Sequence, residues 1–484
     1  MFKSLTSFLW CVILGIFATV SFAALQPFRT VAQPEHSTIV KILPNPVGRT
    51  TQYIGAVEGN VNFDPDDLTD LGINTYRIYG GMSRWEAEDD DSIYGYPTIA
   101  QIKANPNVVN WAWWDKAMTT PPQGSDYWWS GRSGEIWQGN ARTLFSQLQQ
   151  ANIRPVLTIR NVDGDWNPSW ALQLNPPRTA EDWNEWWEHV FATVYWLNVR
   201  NDYQVNEFEI HNEPDVRIHG WGGTFADYAE LVRVAKDAID HVYRTYLPNR
   251  VYHIHAPIAA YQHWVYGAMS QMPKDFDSMN FHIYSPDVSG YIATMRRAMN
   301  QAGLERFPIW VGEWGTYQES YNDWSIALTV LKNLMRMAQP GDTYVYGNHL
   351  FSLYSWGGER GFAGLINRRG NRQLSYYAMR MGIRALQGGK DVLPVVPTPE
   401  EIMVMATRDD RNLNVLLVND QDDRYEIAID LSALQLSEAA RLWQLSANML
   451  DQPLSAQALD QGRLQVQLAA HSAIMAQASL EILD

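Results

Sequence analysis

Cysteine is nearly absent from this chain: among 484 residues there is one, Cys11. It falls inside an apolar run from Phe8 to Val20, behind a positive Lys3 and ahead of the small-x-small triplet Ser21-Phe22-Ala23. That layout predicts a cleaved secretory signal over residues 1–23, with the mature protein secreted or periplasmic. Cys11 follows Trp10, not the small residue that a lipoprotein signal requires, which argues against a lipid anchor. The exported chain is therefore expected to hold no disulfide, and at this size its core needs none. Long apolar runs are missing elsewhere. An anchor in place of a cleaved signal could only come from this first stretch, since nothing later approaches the ~20 apolar residues of a bilayer span.

Positive charge is the second shortage. Lys and Arg number 37 against 53 Asp and Glu, a formal net charge of −16. Such a surface repels phosphate backbones and anionic lipid, so nucleic-acid and membrane partners are not expected and an uncharged ligand fits better. There is no internal repeat, no low-complexity tract and no glycine-rich phosphate turn. What the chain has in abundance is aromatic side chain, 21 Trp, 24 Tyr and 15 Phe, within a composition that is 46% hydrophobic. A disordered chain is thereby excluded, and a large core is predicted.

Short runs rich in aromatic and β-branched residues recur at 53–57 (YIGAV), 75–79 (TYRIY), 155–159 (PVLTI), 207–211 (EFEIH), 251–255 (VYHIH), 279–283 (MNFHI), 308–311 (PIWV) and 344–353. Most are too short for helices and read as buried strands. Between them lie amphipathic stretches with capping boxes, Thr179 with Asp182 and Thr224 with Asp227, and a further helix ends at Gln339-Pro340-Gly341. Eight strands alternating with helices predict an α/β fold, a (β/α)8 TIM barrel, over a doubly wound open sheet. The stretch 80–153 is far longer than a usual connection and carries Trp85, Trp111, Trp113, Trp114, Trp128, Trp129 and Trp137. It is expected to place loops over the barrel mouth. Past Gly388-Gly389 the pattern changes to alternating strands without good helices, so 393–484 reads as a β-sandwich domain behind a barrel domain of 24–392. One sandwich strand could come from 38–43, ahead of the barrel.

Active sites of such barrels lie at the C-terminal ends of the strands. Two glutamates end strands there: Glu213 in EFEIHNEPD after the fourth, and Glu313 in PIWVGEWGTY at the seventh. Cleaving an acetal needs a carboxylic acid to protonate the leaving oxygen and a carboxylate on the opposite face of the sugar. Carboxylates on strands four and seven can face each other across a barrel mouth. By the same strand-end logic Arg77, His282 and Tyr284 are candidates, Trp314 and Trp356 are candidate stacking platforms, and Arg160, Asn161, Glu58 and Asn60 could bind hydroxyls.

With these motifs in hand, the sequence resembles the clan A glycoside hydrolases, in which an Asn-Glu-Pro acid/base follows the fourth strand and a nucleophilic Glu ends the seventh. EFEIHNEPD, the GEW around Glu313 and the trailing sandwich look most like family 39. His211 stands where that family usually carries Trp. The resemblance implies a secreted retaining glycosidase that cleaves β-glycosidic bonds of a poly- or oligosaccharide by double displacement. It implies Glu213 as acid/base and Glu313 as nucleophile. It gives Asn212 to the sugar 2-hydroxyl, Arg77 and Tyr284 to the nucleophile, and His282 to substrate or supporting contacts. No cofactor and no metal are expected, and a monomer is expected.

Two other readings stay open. His253 and His255 form an H-x-H pair, with His211 and His282 on neighbouring strands, as in a metal-dependent barrel hydrolase. A secreted glycan-binding protein that kept the barrel without turnover is the other. The acidic stretches 88–91 and 420–423 match no calcium-loop spacing and read as solvated surface.

Overall fold

The computed structural model describes residues 36–57, 64–81, 85, 97–120, 140–160, 175–217, 221–316, 321–355, 364–367 and 369–481. Eight strands close into a barrel: β1 (Tyr53–Val57), β2 (Thr75–Gly81), β3 (Arg154–Arg160), β4 (Glu207–Ile210), β5 (His253–Ala259), β6 (Ser278–Tyr284), β7 (Ile309–Gly315) and β8 (Gly347–Leu350). They follow one another in chain order, every pair is parallel, and β8 returns to β1. The expected TIM barrel is thus the observed one. The fifth strand begins two residues later than the sequence pattern suggests and runs on through Pro257. Proline lacks the ladder N–H, so a pattern reading stops short of it, and Val251, read as strand, is 72% exposed.

The helices of the outer ring form where caps and apolar spacing coincide. Ala180–Tyr195 opens on the reciprocal Thr179/Asp182 box, and Phe225–Tyr246 on Thr224/Asp227. Their inner faces, among them Trp186, Val190, Leu231 and Ala235, join one continuous core with the outward side chains of the strands. Trp183 packs against that core and Trp187 is buried in it. Of the stretch between β2 and β3, in which loops over the mouth were expected, residues 82–84, 86–96 and 121–139 lie outside the described residues. Helices Ile99–Ala104, Trp111–Thr119 and Ala141–Gln150 occupy much of it. Trp111 stacks on Tyr195 at 5.0 Å and Asp115 accepts the indole N–H of Trp196, so these helices lie against the flank of the ring. Trp114 is core, and Trp85 is buried against Gly80, where any Cβ would meet its ring. Trp128, Trp129 and Trp137 lie outside the described residues.

The C-terminal region is a two-sheet sandwich, as expected, and it borrows strands from ahead of the barrel. His36–Ile42 sits between Val395–Val396 and Tyr425–Asp430, pairing in parallel with the latter, and Gly48–Arg49 edges the second sheet. The start of the range read as barrel is therefore sandwich. Asn412–Asn419 is buried from Leu413 onward because the second sheet is covered on both faces. Leu413, Val415 and Leu417 point into the sandwich core, while Leu416 and Val418 belong to the barrel's. The seam is clamped by Asp451, whose buried carboxylate accepts Arg380 Nε at 2.7 Å and Arg384 Nη1 at 2.9 Å from barrel helix Leu374–Leu386.

Candidate active site

Strand alternation sends Arg77 and Tyr79, two residues apart on β2, into the barrel. Arg77 is fully buried and reaches three partners: Nε donates to Glu209 at 2.5 Å, Nη1 to Glu313 at 2.6 Å and Nη2 to Asn212 Oδ1 at 2.8 Å. Burial works against its charge, but Glu209, Tyr79 and Glu313 outweigh that and push its pKa well up. Glu209, in turn, accepts from Thr158 at 2.6 Å and from Asn280 at 2.7 Å. Burial would raise its pKa; Arg77 above all brings it down to about 2.

Glu313 owes its aim to a bulge. The β6–β7 register slips between Phe281/Val311 and His282/Glu313, leaving Gly312 as the extra residue. Gly312 faces inward, since a Cβ there would lie 2.4 Å from Asn280 Oδ1, and Glu313 next to it also faces inward, to Arg77. Its Oε1 accepts from Arg77 and from the Tyr79 hydroxyl at 2.5 Å; its Oε2 accepts from the Tyr284 hydroxyl at 2.6 Å. Burial and the Glu313 charge push both phenols well above their ordinary pKa, so each stays a donor.

Glu213 stands on a left-handed corner. His211, Glu213 and Ile258 all have positive φ, at 62°, 45° and 58°, and the Glu213 N–H donates to Ile258 O at 3.0 Å. Non-glycine residues hold such angles at a cost of about 1–3 kcal/mol each, which the surrounding packing must offset. Across the mouth, His282 Nδ1 lies 2.7 Å from Glu213 Oε1 and 3.5 Å from Glu313 Oε2. Burial opposes a charge on this imidazole, but Glu313 and Glu213 prevail and raise its pKa. An oxygen of Glu213, an oxygen of Glu313 and a His282 nitrogen all lie within 4.8 Å of one another.

Arg77, Asn212, Glu213, His282, Tyr284 and Glu313, all singled out from sequence, therefore meet in one buried network. His211 is fully buried with its ring 5.4 Å from Trp221. Trp314 is misread as a platform: it follows the inward Glu313, so it points outward, is fully buried, and donates its indole N–H to Asn348 at 3.0 Å. Asn161, Glu58, Asn60 and Trp356 lie outside the described residues; Arg160 is buried near the Tyr79 ring. Tyr79, Glu209, Asn280 and Thr158 were not anticipated. The signal for Tyr79 and Glu209 was the two-residue and four-residue spacing to Arg77 and Glu213 on strands already assigned.

The H-x-H pair does not build the metal site considered above. His253 opens β5 at the opposite end of the barrel, and both His253 and His255 turn to Glu207, the first residue of β4, at 3.2 and 3.1 Å. Hydrogen bonding to Glu207 raises the His253 pKa. His282, by contrast, sits near the other end of β6. Among the described residues one set of side chains is spaced to hold a metal ion, Glu213, His282 and Glu313. A cation there would face the Arg77 guanidinium at close range, and Glu313 already accepts three donors, so the set fits a carboxylate pair better.

No protein-family model matches the sequence, and no curated protein does. Solved structures do resemble the chain. A glucosidase from Croceicoccus marinus has a TM-score of 0.64 at 12% identity, over 93% of this chain and 100% of its own. A family 30 endoxylanase from Clostridium papyrosolvens gives 0.61 at 12%, over 91% and 100%. A monomeric β-xylosidase from Caulobacter crescentus gives 0.61 at 15%, over 92% and 100%. Such identities establish a shared fold, the barrel with its sandwich as found in glycoside hydrolases. Similar structures come from families 30, 39, 44 and 51, so the comparison does not single out family 39.

Proposed function

We propose that the protein is a retaining glycoside hydrolase that cleaves β-glycosidic bonds in a poly- or oligosaccharide, with Glu213 as acid/base and Glu313 as nucleophile. The observation that carries this reading is the approach of the two carboxylates to within 4.8 Å, oxygen to oxygen, across the barrel mouth. Retaining pairs stand about 5–5.5 Å apart, whereas inverting pairs leave roughly 6.5–9.5 Å for a water. Oε1 of Glu313 accepts two donors and Oε2 one, so Oε2 keeps the freer lone pair and attacks the anomeric carbon. Glu213 protonates the departing oxygen as that bond breaks. Asn212, with Oδ1 turned to Arg77, has its amide Nδ2 to offer the sugar 2-hydroxyl. Once Glu313 is esterified its charge is gone, and Glu213, now ionised, takes a proton from the water that releases the sugar. His282 touches both glutamates, which together raise its pKa against burial.

The pattern over residues 1–23 supports action outside the cytoplasm, on a polymer met in the periplasm or medium. The test is a panel of β-linked polysaccharides and aryl glycosides, hydrolysed by wild type and by Glu313→Ala. Wild type should cleave at least one, the variant should lose turnover on it, and azide should rescue the variant with inverted configuration at the anomeric carbon. A substrate cleaved equally by both would overturn the mechanism.

A further inference from the structure

A cavity of 440 Å³ is lined by His282 and Tyr284, which bond to the two glutamates, and by Ala260, Gln262, Asp287 and Tyr291. At its rim begins helix Gln262–Gln271, which buries Trp264, Val265, Ala268 and Met269. Its opposite face is unusual. Tyr261, just ahead of it, is 54% exposed and Tyr266 41%, although tyrosine rings favour burial. Tyr261 and His263 have near-parallel rings, 6.1 Å between centroids and 22° between planes. Gln262 and Tyr266 are four residues apart, hence one above the other on the same helix face. Gln262, in the cavity wall, joins cavity and rings: Tyr261 precedes it in the chain and Tyr266 lies one turn on.

This surface is tied to the acid/base. Asp215, two residues past Glu213, accepts the N–H of Ala260 at 3.1 Å and of Tyr261 at 2.5 Å, one on each carboxylate oxygen. Glu213 itself donates its N–H to Ile258. Two residues span at most about 7 Å of chain, so the backbone of Tyr261 is tied to the turn that carries Glu213.

We propose that Tyr261, with His263 and Tyr266 beside it, is a stacking platform for the leaving-group portion of a glycan chain, positioned by the Asp215 clamp. The substrate is then a chain with more than one sugar beyond the scissile bond, not a short glycoside. Flat C–H faces of a sugar stack on exposed tyrosine rings, while Gln262 and Asp287 suit its hydroxyls. The proposal rests on the glycosidase reading above and deepens it.

The test compares wild type, Tyr261→Ala and Tyr261→Trp on xylan, xyloglucan and mixed-linkage β-glucan, and on 4-nitrophenyl glycosides of the same sugars. Retardation in gels containing each polysaccharide gives a second readout. Tyr261→Ala should lose roughly three- to tenfold in kcat/KM on the cleaved polymer and migrate faster in its gel, with a smaller loss on the aryl glycoside, which has a single ring to stack, and Trp restoring both. Unchanged polymer kinetics in Tyr261→Ala would overturn the platform and leave the glycosidase reading standing. Equal losses on polymer and aryl glycoside would also overturn it, as the mark of a structural role. If wild type neither cleaves nor is retarded by any substrate, the glycosidase reading fails and the platform with it.

Discussion

Arg77 serves the barrel interior and the site with a single charge, and replacing it by Met should leave a signature that depends on pH. Methionine keeps the aliphatic stem but strands two buried carboxylates, Glu209 and Glu313, that now share one guanidinium. For Glu209, fully buried, the fall from 4.5 to about 2 is mostly Arg77 acting against desolvation. That fall is worth about 3 kcal/mol of stability at neutral pH. Breaking a buried ion pair by removing one partner costs about 3–5 kcal/mol in general, and the two figures agree. For a domain the size of this barrel, the expected drop in Tm is roughly 5–8 °C.

The sign follows from linkage. In wild type the folded pKa of Glu209 lies below the unfolded one, so its contribution is complete above about pH 4.5 and fades toward pH 2. Without Arg77, burial is opposed by the Thr158 and Asn280 donors and by His255, and the Glu209 carboxyl is expected to move above its ordinary value. The variant then gains stability on acidification where wild type does not. Melting followed by tryptophan fluorescence should show a gap that is widest near pH 7 and narrows toward about pH 4. The double variant Arg77→Met/Glu209→Gln should recover part of the loss at neutral pH, because no stranded charge remains at that position. A gap that is equal at both pH values, or a double variant no better than the single, would refute the reasoning.

The barrel was legible because parallel strands buried on both faces read as short apolar runs, and because capping boxes mark the helices between them. The site was legible for a related reason: in this fold the mouth is lined at the C-terminal halves of the strands and the turns just after them. Charged and hydroxyl side chains in or just past short strands single out Arg77, Glu213, Tyr284 and Glu313. What this leaves out is the layer beneath. Tyr79 and Glu209 were absorbed into strands as core, although period-two alternation from Arg77 puts Tyr79 on the same inner face. The same alternation from Glu313 excludes Trp314, and counting tryptophans near a motif obscured it. Other features had no local signal. The bulge at Gly312 and the left-handed turns at His211, Glu213 and Ile258 are imposed by contacts from strands distant in sequence. The N-terminal strand of the sandwich pairs with residues almost 400 positions later, and only its alternation hinted at that.

Two further perturbations test the network and the domain seam. His282 has a raised pKa, so its interactions with the two glutamates stabilise the fold below about pH 6.5 and weaken as pH rises through the raised value. His282→Gln should lower Tm at about pH 6 by the worth of a charged hydrogen bond, roughly 1.5–3 kcal/mol, with the gap closing on the alkaline side; a gap that widens there would contradict the assignment. At the seam, Asp451→Asn keeps a residue that tolerates the φ of 51° but removes the charge between Arg380 and Arg384. The arginines are 18% and 30% exposed, Arg380 retains Asp70, and Arg384 retains the Trp443 ring at 5.0 Å. Water and these partners absorb part of the unbalanced charge, which places the cost near the lower end of the buried-pair range, about 3 kcal/mol. Because Leu416 and Val418 of the sandwich are core to the barrel, loosening the clamp should not release a stable, separate sandwich. Protease should cut both units together as the chain melts at a lower temperature. A sandwich that survives intact while the barrel is digested would show that the shared sheet is not a common core.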